Sequence, residues 1–265
     1  MGSTPLADPA ASARVPSNPC RLYVAWQDPV SREIVPVGCL SRDTSNGGLT
    51  YEYAYLRCAA RLDGFRPFVG FPAMDRTYRS SDLFPFFENR LMPRGRDDYG
   101  EFLVSLGLPL EAEPFEVLAR SEGRRQTDTI EVFPEPSVED GIASCRFLVH
   151  GIRYVPGSQD AIESLVTGDS LRVVLDPQNR VDRCAVVLRD DAYHLLGWVP
   201  RYLTSLVRTP LAELGPDAVE VHVEHIGDRE GPVHLRLLCA LESRWPGGAV
   251  MPFSGPDFEP LPERG

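Results

Sequence analysis

Few residues of this chain sit at spacings that could do covalent chemistry. The five histidines, His150, His194, His222, His225 and His234, all fall in stretches that read as strands. Strand alternation sets His222 and His225 on opposite faces, so they cannot share a metal unless a bulge intervenes. The six cysteines, Cys20, Cys39, Cys58, Cys145, Cys184 and Cys239, contain no Cys-x-x-Cys pair. They read as buried free thiols of a reducing cytoplasm and not as a zinc site. Neither a G-x-x-x-x-G-K-[ST] loop nor a G-x-G-x-x-G turn occurs, and all 27 basic residues are arginine. The carboxylates are too dispersed to nominate an acid–base pair. The expectation is a protein that is not an enzyme and takes no cofactor and no metal.

Recognition chemistry is better represented. GIRYVPG (151–157) reads as a strand end carrying Arg153 and Tyr154 into a Pro-Gly turn. GWVPRYL (197–203) carries Trp198, Arg201 and Tyr202. DPQNRVDRCAVVL (176–188) joins a polar turn, with Asn179, Arg180, Asp182 and Arg183, to a valine-rich strand. Three such ends can converge on one rim of a small barrel, where aromatic faces stack on bases and arginines meet phosphates. The competing reading places Tyr154 and Trp198 in the core and the arginines on solvated loops, and composition leaves both open.

Charge narrows the class of partner. The net charge of −11 argues against indiscriminate binding to phosphate backbones. Residues 144–210, however, hold eight Arg against seven Asp and Glu, whereas each flank carries a balance of −6. No apolar run approaches the ~18 residues of a membrane span, and the N-terminus lacks a basic-then-apolar signal. A cytoplasmic protein with no membrane partner is expected.

The elements that must position these groups fall into two textures. RLYVAWQ (21–27), IVPVGCL (34–40) and the Tyr-rich segment after Asn46-Gly47-Gly48 read as strands. Helices follow, from an Asp82 cap through LFPFFENRL, over 96–108 ending at Gly107, and over 114–123 between Pro114 and Gly123. TDTIEVFP (127–134) returns to strand. FPEPSVEDGIAS (133–144) is the best linker. Beyond it, strands at 145–155, 171–177, 183–190, 193–200, 218–226 and 233–242 are interrupted by short helices at 160–171 and 201–211.

GIRY (151–154), GDSLRVVL (168–175), DPQNRVDRCAVVL (176–188) and LGWVPR (196–201) stand in order over about fifty residues. Together they resemble the HIRAN domain. The resemblance implies an OB-like β-barrel over 144–245 that grips the 3′ hydroxyl end of single-stranded DNA. By position it puts Arg153 on phosphate and Tyr154 on the terminal base. Asn179 and Asp182 would read the terminal nucleotide, with Asp182 accepting from the 3′ hydroxyl. Trp198 and Arg201 take the ring and basic positions of the last motif. One departure stands out: the family's Pro-Tyr after the Asn is Arg180-Val181 here. One stacking ring is missing, worth roughly 1–3 kcal/mol per base.

The first half has a looser likeness. LTYEYAYL (49–56), LFPFFENRLMPRGRDDYGEFLVSLGL (83–108) and FEVLARSEGRRQTDTIEVFP (115–134) are similar to the N-terminal subdomain of HipA-type toxins. This implies a protein-interaction module and transfers no catalytic residue. Phe86, Phe87 and Leu91 read as core at helical spacing.

The resulting expectation is an α+β, mainly β chain of bacterial type. It comprises a disordered leader (1–19), a HipA-N-like α+β module (20–135), a linker (136–143), a HIRAN-like OB-type barrel (144–245) and a flexible tail (246–265). Its expected role is a non-enzymatic adaptor that binds single-stranded DNA at 3′ ends. The alternative is a regulatory, antitoxin-like partner of a HipA-type kinase acting through protein contacts.

Overall fold

The computed structural model describes residues 20–44, 48–125 and 127–263. The expected leader and the Asn46-Gly47 portion of the expected turn lie outside the described residues. The chain divides into two compact units. One takes in the described residues of Asn18–Leu103, Leu108–Glu135 and Val250–Gly265; the other takes in Val104–Gly107 and Pro136–Ala249.

The first unit is built on an antiparallel sheet of β1 (Arg21–Gln27), β2 (Ile34–Asp43), β3 (Thr50–Tyr55), β4 (Tyr78–Ser80) and β5 (Ile130–Pro134), in the order β4-β3-β2-β1-β5. Leu22 through Ala25 are all fully buried, so β1 is covered on both faces. Short helices belong to this unit: α1 (Pro85–Glu88), α2 (Tyr99–Ser105) up to Leu103, and α3 (Pro114–Ser121). α3 starts as its sequence requires, with Pro114 in its first turn and a reciprocal capping box between Glu113 and Glu116. α1 is shorter than its pattern predicts. Its N-cap is Phe84 and no side chain caps it, so Asp82 does not initiate the helix. Phe87 is fully buried, while Phe86 and Leu91 pack partly buried against the same core.

The C-terminal segment is not the free tail expected from its prolines. Phe253 stacks on Tyr23 at 5.4 Å, Phe258 meets the same ring edge-on at 6.2 Å, and the Leu261 N–H donates to the Tyr55 carbonyl at 2.8 Å. These apolar side chains give a proline-rich segment a face to bury.

The second unit is mostly β. Its seven strands are β6 (Ser137–Glu139), β7 (Ile142–Leu148), β8 (Ser170–Leu175), β9 (Val186–Arg189), β10 (Leu195–Trp198), β11 (Val219–Ile226) and β12 (Leu237–Arg244). They form one sheet in the order β10-β9-β8-β11-β12-β7-β6, with α4 (Ser158–Glu163) and α5 (Thr204–Leu214) beside it. The expected linker is a hairpin: β6 and β7 pair across Asp140 and Gly141, both at positive φ. The expected closed barrel is not found. β10 and β6 are the sheet's edges, and β10 reaches the β7 side through a bridge in which His150 and Trp198 exchange two backbone hydrogen bonds of 2.9 and 2.8 Å. The chain cannot extend this pairing, because Gly151 at φ 71 turns it away into a short 3-10 helix. Arg153 and Tyr154 therefore lie on a turn and not at a strand end.

Among the described residues no helix is long and apolar enough to cross a membrane. β11 does carry a register shift between Val223 and His225. Even so, no group of three His, Cys, Asp or Glu able to hold a metal gathers among the described residues.

Candidate functional site

The connection from β8 to β9 closes where the Asp176 N–H donates to the Ala185 carbonyl at 2.9 Å. Between them the chain is organised by two side chains that hydrogen-bond their own loop, as Asn and Asp do in turns. Asn179 Oδ1 accepts from the N–H groups of Val181 and Asp182, both at 3.0 Å, and its Nδ2 donates to Asp176 Oδ2 at 3.0 Å. Asp182 Oδ1 accepts from the Cys184 N–H at 2.8 Å.

The LGWVPR segment docks onto this loop. Arg201 Nε donates to Asp182 Oδ2 at 2.9 Å, and its Nη2 donates to the Val181 carbonyl at 2.6 Å. Both partners of this ion pair are largely shielded, at 23% and 19% side-chain exposure, which strengthens the pairing relative to a surface pair. Trp198 is half-buried, and its indole Nε1 donates to Asp176 Oδ2 at 3.1 Å. Four of the sequence-derived site residues, Asn179, Asp182, Trp198 and Arg201, thus form one continuous network.

Asp176 is its junction and was not singled out from the sequence. The Asp-Pro pair was visible as a turn signal, but nothing local revealed that one carboxylate oxygen would hold both an amide and an indole.

Arg153 and Tyr154 reach this network through the backbone. Gly151 lies flat against Trp198: a Cβ there would sit 2.6 Å from the ring's Cε3. Ile152 is buried and anchors the turn, leaving Arg153 and Tyr154 exposed beyond it. Tyr154 is 69% exposed and is therefore not a core residue. The Arg153 guanidinium lies 4.7 Å over the Tyr154 ring, and its Nη2 donates to the Tyr154 hydroxyl at 2.6 Å. Such an exposed cation–π pair is worth about 0.5–1 kcal/mol, small enough for a ligand to displace.

Residues 177–183 also line an open hollow of about 720 Å³. Arg180 and Arg183 are exposed on it, and Val181 stands 73% exposed at its surface. The site combines exposed guanidinium groups, one open phenol ring, an indole held by its N–H, and a carboxylate fixed by an arginine. It has the means to hold a phosphate chain, a base and a hydroxyl.

These features lie within a stretch with a recognised family. The model of the HIRAN domain matches residues 142–245, and that match does not extend over 20–135. Two solved structures are similar to this chain. One is a crystal structure of a protein from Lactobacillus plantarum, at 20% identity, covering 39% of this chain and 97% of that one, with a TM-score of 0.29. The other is the HIRAN domain of human HLTF, at 18% identity, covering 40% of this chain and 78% of that one, with a TM-score of 0.26. No curated protein gives a match.

Proposed function

We propose that the second unit binds single-stranded DNA at its 3′ hydroxyl end, and that the chain acts as a non-enzymatic cytoplasmic adaptor. The family match over 142–245 supports DNA as the ligand. The observation that carries the end-binding reading is the Asn179–Asp182–Arg201 network, because it fixes a carboxylate at the edge of a hollow that Arg180 and Arg183 also line. Each oxygen of Asp182 accepts one hydrogen bond from the chain, and a carboxylate oxygen has capacity for a second. Asp182 is thus available to a sugar hydroxyl. Asn179 has a different part from the one its position implied. Its Oδ1 already accepts two N–H groups, so it shapes the loop and has only one amide N–H to offer a ligand.

Arg201 positions Asp182. Arg153, Arg180 and Arg183 supply exposed charge for phosphates, and Tyr154 supplies the stacking face. The first unit is the protein-contact module of this adaptor. A HipA-type kinase as its partner rests on the sequence resemblance alone.

Fluorescence anisotropy of the full chain with labelled strands of about ten nucleotides, single or as a blunt duplex, tests the reading. Single strands should bind, more weakly as salt rises. Equal affinity for the duplex would contradict it.

A further inference from the structure

β8, β9 and β10 pair antiparallel, so residues in register share a face. One face holds Val173, Leu188 and Gly197, with Leu188 fully buried in the core. The opposite face carries Arg172 and Val174 from β8, Val187 and Arg189 from β9, and Leu195 and Trp198 from β10. The register aligns Val174, Val187 and Trp198 in one rank and Arg172, Arg189 and Leu195 in the next. Val174 is 37% and Leu195 46% exposed, so this face is open along its outer strands, while Val187 between them is buried.

Two features of the outer rank call for a ligand. Arg172 and Arg189 stand directly opposite each other, and like charges so placed oppose strand pairing. Asp191 pairs with Arg172 at 3.2 Å, but both side chains of that pair are exposed. The Asp190 carboxylate is turned away onto the His194 ring at 2.8 Å and its N–H at 2.7 Å, so that Arg189 donates to the Asp190 carbonyl instead, at 2.8 Å. Beside them, Tyr193 adopts φ 70, a conformation rare for an aromatic residue, and is 76% exposed. The Asp190–His194 turn holds the ring there, with the Arg189 guanidinium 4.2 Å over it. A strained turn that presents an open ring beside two arginines suits a polyanion that also has flat faces.

The face is continuous with the end site, since Trp198 belongs to both. Two residues of strand, about 7 Å, separate the Trp198 rank from the Arg189 rank, the reach of roughly one nucleotide. We propose that this face is the next stretch of the single-stranded DNA path, with Tyr193 and Trp198 stacking on bases inward of the 3′ end and Arg172 and Arg189 meeting their phosphates. The proposal rests on the end-site reading given above.

A length series separates the two. Strands of about two and about eight nucleotides, both with 3′ hydroxyls, are titrated against the full chain by anisotropy. The longer strand should bind more tightly. Tyr193→Asn keeps a residue that tolerates positive φ and removes the ring, and should weaken the longer strand about tenfold. Arg172→Gln with Arg189→Gln should lower the steepness of its salt dependence by about 1.4 in log–log slope. Neither variant should change binding of the shorter strand. If both lengths bind equally, or if both variants leave the longer strand untouched, this path is overturned and the end site survives. Absence of binding to either length overturns both. Should Tyr193→Asn fail to fold, the arginine pair decides.

Discussion

Replacing Val181 by tyrosine puts a ring where the HIRAN resemblance expects one. The position is suited to the change. Val181 is 73% exposed, and its backbone is pinned on both sides, the N–H by Asn179 and the carbonyl by Arg201. The side chain therefore takes no part in holding the loop, and the substitution should alter stability by less than about 0.5 kcal/mol. A base stacked on the new ring gains about 1–3 kcal/mol, or roughly 5- to 150-fold in affinity. Because no neighbour packs the ring into a fixed orientation at so exposed a position, the lower end applies, about 5- to 10-fold. Anisotropy with a 3′ hydroxyl strand measures it, and Val181→Leu is the control that adds apolar bulk without a π face. The leucine variant should stay within about twofold of wild type. Equal improvement by both variants, or by neither, would refute the idea that a missing ring limits this site.

Three further outcomes follow from the same structure. Arg153→Ala removes an exposed guanidinium whose side-chain partner is Tyr154. It should weaken DNA binding and reduce the salt slope by about 0.7 while leaving the thermal midpoint within about 2 °C; unchanged affinity would remove Arg153 from the site. Gly197→Ala should cost about 2–4 kcal/mol in urea unfolding, because Gly197 has φ 150 and a Cβ would meet the His150 carbonyl oxygen at 2.6 Å. A loss under about 0.5 kcal/mol would mean that the bridge between β10 and His150 is dispensable. Burial pushes the thiols of Cys145 up to about 12 and, partly offset by Arg21, of Cys39 up to about 11, from an ordinary 9.0. The unfolded chain releases these protons first, so the contribution of these thiols to stability should be fully present below about pH 9 and be lost as pH rises towards 11–12. Flat stability across that window would contradict the burial of these thiols.

Local signals carried much of this fold. Arg21–Gln27 was legible as a strand to the residue, because its apolar run is bounded by polar ends. Pro114 marked the start of α3 correctly, since a proline at that position loses no helical hydrogen bond. Other features depended on partners distant in sequence. Prolines and acids made 136–143 read as a linker, yet pairing with β7 supplies the ladder that this short segment lacks on its own. Phe253, Phe258 and Leu261 found their places only against Tyr23 and Tyr55, more than two hundred residues away in the chain. At the site, the motifs named the residue types, but the spatial logic was not written in them. Asp176 as a shared acceptor, Gly151 as the seat of the Trp198 ring, and Asn179 as a hub for its own loop are all products of the turn geometry.

The end-binding claim is tested most directly by one comparison: the affinity of the full chain for a single strand ending in a 3′ hydroxyl and for the same strand ending in a 3′ phosphate. Asp182, held by Arg201 and the Cys184 N–H, can accept from the hydroxyl and repels a phosphate. Hydrogen bonds to charged groups contribute about 1.5–3 kcal/mol, so the hydroxyl strand should bind at least about tenfold more tightly. Equal affinity for the two strands, or no binding of either, would contradict it.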